Sequence, residues 1–491
     1  MTQFLEIREK IKNFIGRYET YVKPISKFIL SMIVVCMINK NIGFTSRLNN
    51  PAIAIIISFT ELFTDAGFQK YLIQHDFVDE DDRYKSTNVA FWTNLCLSLI
   101  FWIIIVVFRN SLARLVGSPE LGLGIAVACA GIPLAAFSSI QRASYQRDFD
   151  FKTLFYVRIV NIFIPFVVNI PLALITRNYW ALIGGSLVSQ LITAVILTAK
   201  SNWKPYLYFS FSRLKEMISF CLWLVFESIL CWSTSYLDVF IVGRGLNEHY
   251  LGLYRVSINT VEQILAIITA TILPVLLPAL SRLQDNLPEM RKLLLKMQKY
   301  TSIIIIPLGC GILMYKDLIT SILLGNQWAE AAGFIGLWGF VSAVTIVFSR
   351  FCTFVFPAIG KPKISVLSQI LYIVVFFPAI LIAIDYGFEI LYWTRSLVRV
   401  ESVIVNMIIV WSLIGLSPLK MTLNIVPELV SSVIMCVLSY YLLTISDSIL
   451  WGLVSVILSA AVYFGVLYFF FPKERQVFHS VIKNVTVKFR K

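Results

Sequence analysis

The chain has 491 residues, of which 58 % are hydrophobic and only 14 % charged, with a formal net charge of +14. Its mean hydropathy is +0.79. About a quarter of the residues of a soluble domain are charged, so this composition excludes a soluble enzyme, a disordered protein and a disulfide-stapled secreted domain. It leaves an all-α, polytopic membrane protein.

In chain order, residues 1–20 come first. Phe4, Leu5, Ile7, Ile11, Phe14, Ile15 and Tyr18 recur at helical spacing between Arg8, Lys10, Lys12 and Arg17. That pattern predicts an amphipathic helix on the cytoplasmic membrane surface and no cleavable signal. Apolar runs of spanning length then predict fourteen transmembrane helices. They cover 21–40, 51–73, 88–108, 120–140, 154–176, 179–199, 217–242, 250–281, 299–324, 331–356, 364–385, 388–414, 427–445 and 449–471. A basic tail, 472–491, closes the chain. With the N-terminus inside, the inner segments carry 29 Lys and Arg and the outer loops 7. This asymmetry places both termini in the cytoplasm. It also accounts for the net charge without nucleic acid.

Residues 131–205 resemble 339–418, with matching breaks after a span and two further spans in each. The organisation this predicts is a six-helix bundle over 21–200, a second over 217–414, and two extra helices over 427–471. Even-numbered parallel repeats of this kind build transporters with a substrate cavity between the halves.

The eight cysteines lie in or beside apolar runs without a CxxC pair, and there are three histidines. No metal site or disulfide framework is expected. The sequence carries no P-loop, so ATP is not the expected energy source. No catalytic residues and no cofactor are predicted.

The segment 235–286, SYLDVFIVGRGLNEHYLGLYRVSINTVEQILAIITATILPVLLPALSRLQDN, resembles the hallmark region of bacterial polysaccharide flippases. Its Asp238, Gly243, Leu251-Gly252-Leu253-Tyr254 and the run Leu277–Gln284 carry the likeness. FTDAGFQKYLIQ (63–74) is similar to an element after the family's second span, and QRDFDFK (146–152) to its basic loop after the fourth. The family is that of the Wzx-like, colanic-acid and teichuronic-acid type exporters of the multidrug/oligosaccharidyl-lipid/polysaccharide (MOP) superfamily. The resemblance implies a flippase that moves undecaprenyl-pyrophosphate-linked repeat units from the inner to the outer leaflet of the bacterial cytoplasmic membrane. It implies partnership with membrane lipids and glycan polymerase machinery, and a monomeric transporter. The segment WTRSLVRVESV (393–403) departs from the family pattern by three added charges.

Charges inside spans need a partner or a role. Arg395 and Arg399 are four apart on one helix face. With Arg255 and Arg350 they are the candidates for holding a pyrophosphate, because a guanidinium fork replaces lost water with bidentate hydrogen bonds. The structural alternatives are snorkelling, a Glu262–Arg255 pair, and Glu401 or Glu389 as counter-anion of the Arg395/Arg399 pair. Glu61, Asp65, Glu227, Glu262 and Glu401 are the candidates for coupling to Na+ or H+. Asp238 is expected to be a helix-end or hinge residue. Pro274 and Pro278 are the hinge candidates. The competing readings are a peptidoglycan lipid-precursor flippase, a drug/cation antiporter of the same superfamily, and a glycan polymerase or ligase. An antiporter of cations calls for an acidic cavity, and a ligase for a large outer loop.

Overall fold

The computed structural model describes residues 67–115, 122–176, 180–201, 203–446, 448–472 and 474–475. The expected surface helix at 1–20, the span 21–40, residues 51–66 of the span 51–73 with Glu61 and Asp65, and the tail beyond 475 lie outside the described residues. Helices are the only regular structure among those described. They are α1 (Phe68–Gln74), α2 (Glu80–Val107), α3 (Arg109–Leu115), α4 (Gly122–Ala128), α5 (Gly131–Arg147), α6 (Phe151–Thr176), α7 (Trp180–Lys200), α8 (Phe211–Gly245), α9 (Glu248–Ser281) and α10 (Leu287–Met314). Then follow α11 (Lys316–Leu323), α12 (Ala332–Thr345), a π-helical turn (Ile346–Arg350), α13 (Phe351–Ala358), α14 (Pro362–Ala383), α15 (Phe388–Leu397), α16 (Arg399–Ile414), α17 (Pro418–Leu423), α18 (Val426–Leu443) and α19 (Ile449–Phe470). Among the described residues, ten helical stretches are long and apolar enough to cross a membrane, and the bent α9 makes eleven. The protein is an all-α, multi-pass membrane protein.

Several helices start well before the apolar run that predicts them, because hydropathy marks only the part in lipid. The capping residue marks the true start. Asp79 accepts the backbone N–H of Asp82 ahead of α2, whose first turn holds Glu80, Asp81 and Asp82. Acidic groups there offset the partial positive charge of the helix end. Asn286 accepts the N–H of Glu289 at 3.2 Å and starts α10 twelve residues before the expected 299. The bend in α9 has a specific cause. His249–Ala270 and Ile272–Ser281 meet at 47°. Pro274 has no N–H to offer the carbonyl of Ala270, so the ladder opens at that point. Pro278 lies one turn beyond the bend.

The chain divides into two compact units. The first holds α1–α7, α8 up to Trp232 and the segment Pro357–Val366. The second holds α8 from Ser233, α9 to Phe356 in α13, and everything from Leu367 onward, including α18 and α19.

In the first unit the two shorter family-like segments meet. Arg147, at the end of α5, is 7 % exposed. Its Nη1 donates to the carbonyls of Leu72 (2.8 Å), Ile73 (3.2 Å) and His75 (2.6 Å), capping the C-terminal end of α1. Its guanidinium lies 4.7 Å over Phe77. Arg83 of α2 donates to Ser144 at 2.9 Å and pairs with Asp148 at 2.7 Å. Gln69 donates to Gln146 at 2.9 Å. Burial, with Arg147 beside it, holds the His75 imidazole below its usual range, so it is neutral at pH 7.

In the second unit α10 and α12 cross at glycine. A Cβ on Gly309 would lie 2.3 Å from that of Ala343, and one on Gly339 2.4 Å from Ile312 Cγ2. Small residues at such crossings let two membrane helices approach closely.

Candidate functional site

The site is built entirely from the second unit. The span expected at 388–414 is two helices, α15 and α16, meeting at Val398. The N–H of Glu401 reaches back to the Val398 carbonyl at 3.1 Å. Arg395 closes α15 and Arg399 opens α16, still four residues apart. Across from them α12 presents Trp338 and Ser342, also four apart. Two same-face pairs therefore face each other.

Both cations lie against Trp338. The guanidinium carbon of Arg395 is 4.8 Å from its ring centroid and that of Arg399 4.2 Å. Phe376 of α14 covers Arg395 at 4.6 Å. The electron-rich ring faces attract both cations, but they do not neutralise them.

The two arginines differ in how fully they are satisfied. Arg395 is 6 % exposed. Its Nε donates to Asp238 Oδ2 at 3.0 Å and to Tyr254 Oη at 3.1 Å, and its Nη1 to Tyr372 Oη at 2.8 Å. Asp238, 1 % exposed, also accepts the Tyr254 hydroxyl at 2.7 Å on Oδ2 and the N–H of Val239 at 2.7 Å on Oδ1. This closed network joins α8, α9, α14 and α15. Arg399 is half-buried and donates through Nη1 to Ser342 Oγ at 2.6 Å. A guanidinium has five N–H donors, and this is the one Arg399 side-chain hydrogen bond among the described residues.

Arg350 and Glu262 are within electrostatic reach of Arg399. Arg350 is exposed at the last position of the π-helical turn. Such turns insert an extra residue into a helix and recur at functional sites. The neighbouring Ser349 accepts Asn406 Nδ2 of α16 at 2.9 Å, and Asn406 Oδ1 accepts Ser368 of α14 at 2.7 Å. The group thus holds three guanidiniums (Arg350, Arg395, Arg399) against two carboxylates (Asp238, Glu262). With Asp238 taken by Arg395, the positive excess falls on Arg399 and Arg350.

The structure corrects three sequence expectations. The counter-anion of Arg395 is Asp238, not Glu401 or Glu389. Asp238, expected as a helix-end or hinge residue, lies within α8, which runs on to Gly245, and is buried in this network. Arg255 is not paired with Glu262; it lies 5.3 Å over the ring of Tyr236. The reason is common to all three: sequence spacing points to groups or positions on a residue's own span, while the actual partners stand on other helices. Glu227 is half-buried on α8. Glu401 is half-buried on α16, with its Oε2 enclosed and without a hydrogen-bond partner.

The family described as "Polysaccharide biosynthesis protein" matches residues 51–333, more than half of the chain. The chain is 21 % identical over 282 residues to the succinoglycan biosynthesis transport protein ExoT of Rhizobium meliloti, covering 57 % of this chain and 56 % of that protein. It is 19 % identical over 280 residues to the lipopolysaccharide biosynthesis protein WzxC of Escherichia coli, covering 56 % and 55 %. It thus spans little more than half the length of these two relatives. Among solved structures, the lipid II flippase MurJ in an inward closed conformation superimposes with a TM-score of 0.63 at 14 % identity, over 86 % of this chain and 92 % of that one. An outward-facing MATE-family multidrug transporter of the MOP superfamily gives 0.60 at 13 % identity, over 74 % and 85 %. At these identities the structures establish a shared fold.

Proposed function

The chain belongs to the polysaccharide biosynthesis protein family, and on that premise we propose that it is a flippase for lipid-linked oligosaccharide repeat units. It carries them from the inner to the outer leaflet of the bacterial cytoplasmic membrane by alternating access, with both termini cytoplasmic. The observation that carries this reading is Arg399. It is a guanidinium within a membrane-spanning segment, stacked on Trp338, with Ser342 as its hydrogen-bond acceptor and Arg350 near it. A cation in the span without a full set of partners is costly. A pyrophosphate head group supplies the missing acceptors and the opposing charge. Arg399 is the main pyrophosphate ligand in this reading and Arg350 its neighbour, while Arg395 holds the helices that present them.

MurJ and the MATE transporters share the fold, so fold alone does not select the substrate. The local positive excess supports an anionic substrate over the cations of a drug antiporter. Coupling to Na+ or H+ through Glu61, Asp65, Glu227, Glu262 or Glu401 belongs to the same proposal. The enclosed Glu401 Oε2 supports Glu401 among them, since a bound cation would satisfy it and a bound proton would remove its charge.

The test is Arg399→Ala in a strain lacking the wild-type gene. Losing charge-assisted hydrogen bonds to the substrate is expected to lower export about 10–100-fold. Lipid-linked repeat units should accumulate on the cytoplasmic face at near-normal protein levels. Arg399→Lys restores part of the activity, because an ammonium cannot form the fork. Full export by Arg399→Ala refutes the site. Transport in vesicles that survives collapse of both the proton and sodium gradients refutes the coupling.

A further inference from the structure

Away from the arginine site, two acidic side chains share one ammonium where the chain enters α18 and leaves α19. Lys299 of α10 lies 3.4 Å from Glu428 Oε1 of α18 and contacts the carboxylate of Glu474, just past α19. It also donates to the Asn424 carbonyl at 2.9 Å. The three side chains are shielded: Glu428 is 0 % exposed, Glu474 3 % and Lys299 17 %.

Among the described residues, Lys299 is the cation within ion-pair distance of Glu428 and Glu474. Tyr463 of α19 faces the same seam, but its hydroxyl donates to the Ile303 carbonyl of α10 at 2.9 Å. Asn424 directs its amide to Leu295 and Gln298 of α10. Lys296, Lys420 and Arg475 are exposed. Cys310 of α10 and Cys436 of α18 are the thiols further along the seam.

One ammonium against two ionised carboxylates leaves a net charge of −1 in an enclosed site. An uncompensated charge there is far costlier than a neutral acid. Two carboxylates that reach one nitrogen also repel each other, and like-charged acids in one site relieve that repulsion by keeping a proton. We propose that Lys299, Glu428 and Glu474 form a proton-binding site, in which the two carboxylates hold one proton between them. Its release into water restores the −1 charge and weakens the attachment of α18 and α19 to α10. This site is independent of the anion site at Arg399 and takes a different ligand.

The full chain in lipid nanodiscs tests it by infrared spectroscopy. At neutral pH the wild type is expected to show a protonated-carboxyl band that shifts in D2O. Glu428→Gln and Glu474→Gln should each abolish that band, because the carboxylate left behind pairs with Lys299 alone. Lys299→Met, with two acids and no ammonium, should roughly double it, to about two protons. The folded wild type binds a proton that the unfolded chain has released, so its stability falls as pH rises. The apparent Tm is expected to drop by about 2–4 °C between about pH 6 and about pH 9 and to stay level in either glutamine variant. Should a glutamine variant fail to fold, Glu428→Asp and Glu474→Asp keep both charges and move the band. A wild type without the band, or a band unaltered in every variant, overturns the proposal.

Discussion

Arg147 in the first unit and the Arg395/Arg399 pair in the second are all guanidiniums withdrawn from water, but they are satisfied differently. Arg147 meets three backbone carbonyls at the end of α1 and an aromatic face. Arg395 meets a carboxylate and two tyrosine hydroxyls. Arg399 meets one serine. The first two make three hydrogen bonds each within the protein and hold helices together. The third makes one, and in the proposed function this difference separates the arginine that binds the substrate from those that brace the fold. Spacing in the sequence does not separate them, since Arg395 and Arg399 stand four residues apart on one face.

The largest effect is expected where a complete network loses its anion. Asp238→Asn leaves Arg395 enclosed with its charge uncompensated and should cost about 3–5 kcal/mol. Thermal unfolding in detergent checks it. The double replacement Asp238→Leu with Arg395→Met removes both charges and should recover most of the loss. A single variant as stable as wild type would show that Arg395 is not charge-paired.

Arg147→Met should come next, at about 3 kcal/mol, because several charge-assisted bonds to carbonyls are lost together. Its signature is local: faster amide exchange across α1 and residues 75–77, with the second unit unchanged. Exchange that rises uniformly over the chain would show that Arg147 does not act as a cap.

Arg399→Ala should lower stability by about 1 kcal/mol, the loss of its stacking on Trp338, while removing most export. A stability loss as large as that of Asp238→Asn would place Arg399 with the bracing residues.

The smallest effect concerns pH. The folded protein holds His75 neutral below its ordinary range, whereas the unfolded chain accepts a proton near pH 6.5. The stability that His75 contributes is therefore present above about pH 6.5 and is lost as pH falls below it. The expected change in apparent Tm is about 1–2 °C, absent in His75→Asn. A wild type and variant with the same acid slope would remove His75 from the Arg147 cluster.

Composition and hydropathy made the class of this protein legible. The apolar runs from 88 to 471 all fall on helices, because a lipid-facing helix must be apolar along its whole spanning length. The kink in α9 was legible at Pro274, since a missing N–H acts on its own helix. The arginines at 255, 350, 395 and 399 stand out in the sequence because a charge in a span contrasts with its neighbours, but Arg255 lies over Tyr236 instead of with the other three. What they do was decided only by tertiary structure. Asp238 pairs with Arg395 across 157 residues of sequence, and Trp338 faces both arginines from another helix. The π-helical turn that ends at Arg350 has no marker in its residues, Ile346–Arg350. Lys299, Glu428 and Glu474 read as scattered basic and acidic residues at span ends until folding brings them to one seam. Periodicity and hydropathy report how a helix meets its solvent, while the partner of a buried charge is set by which helices pack together.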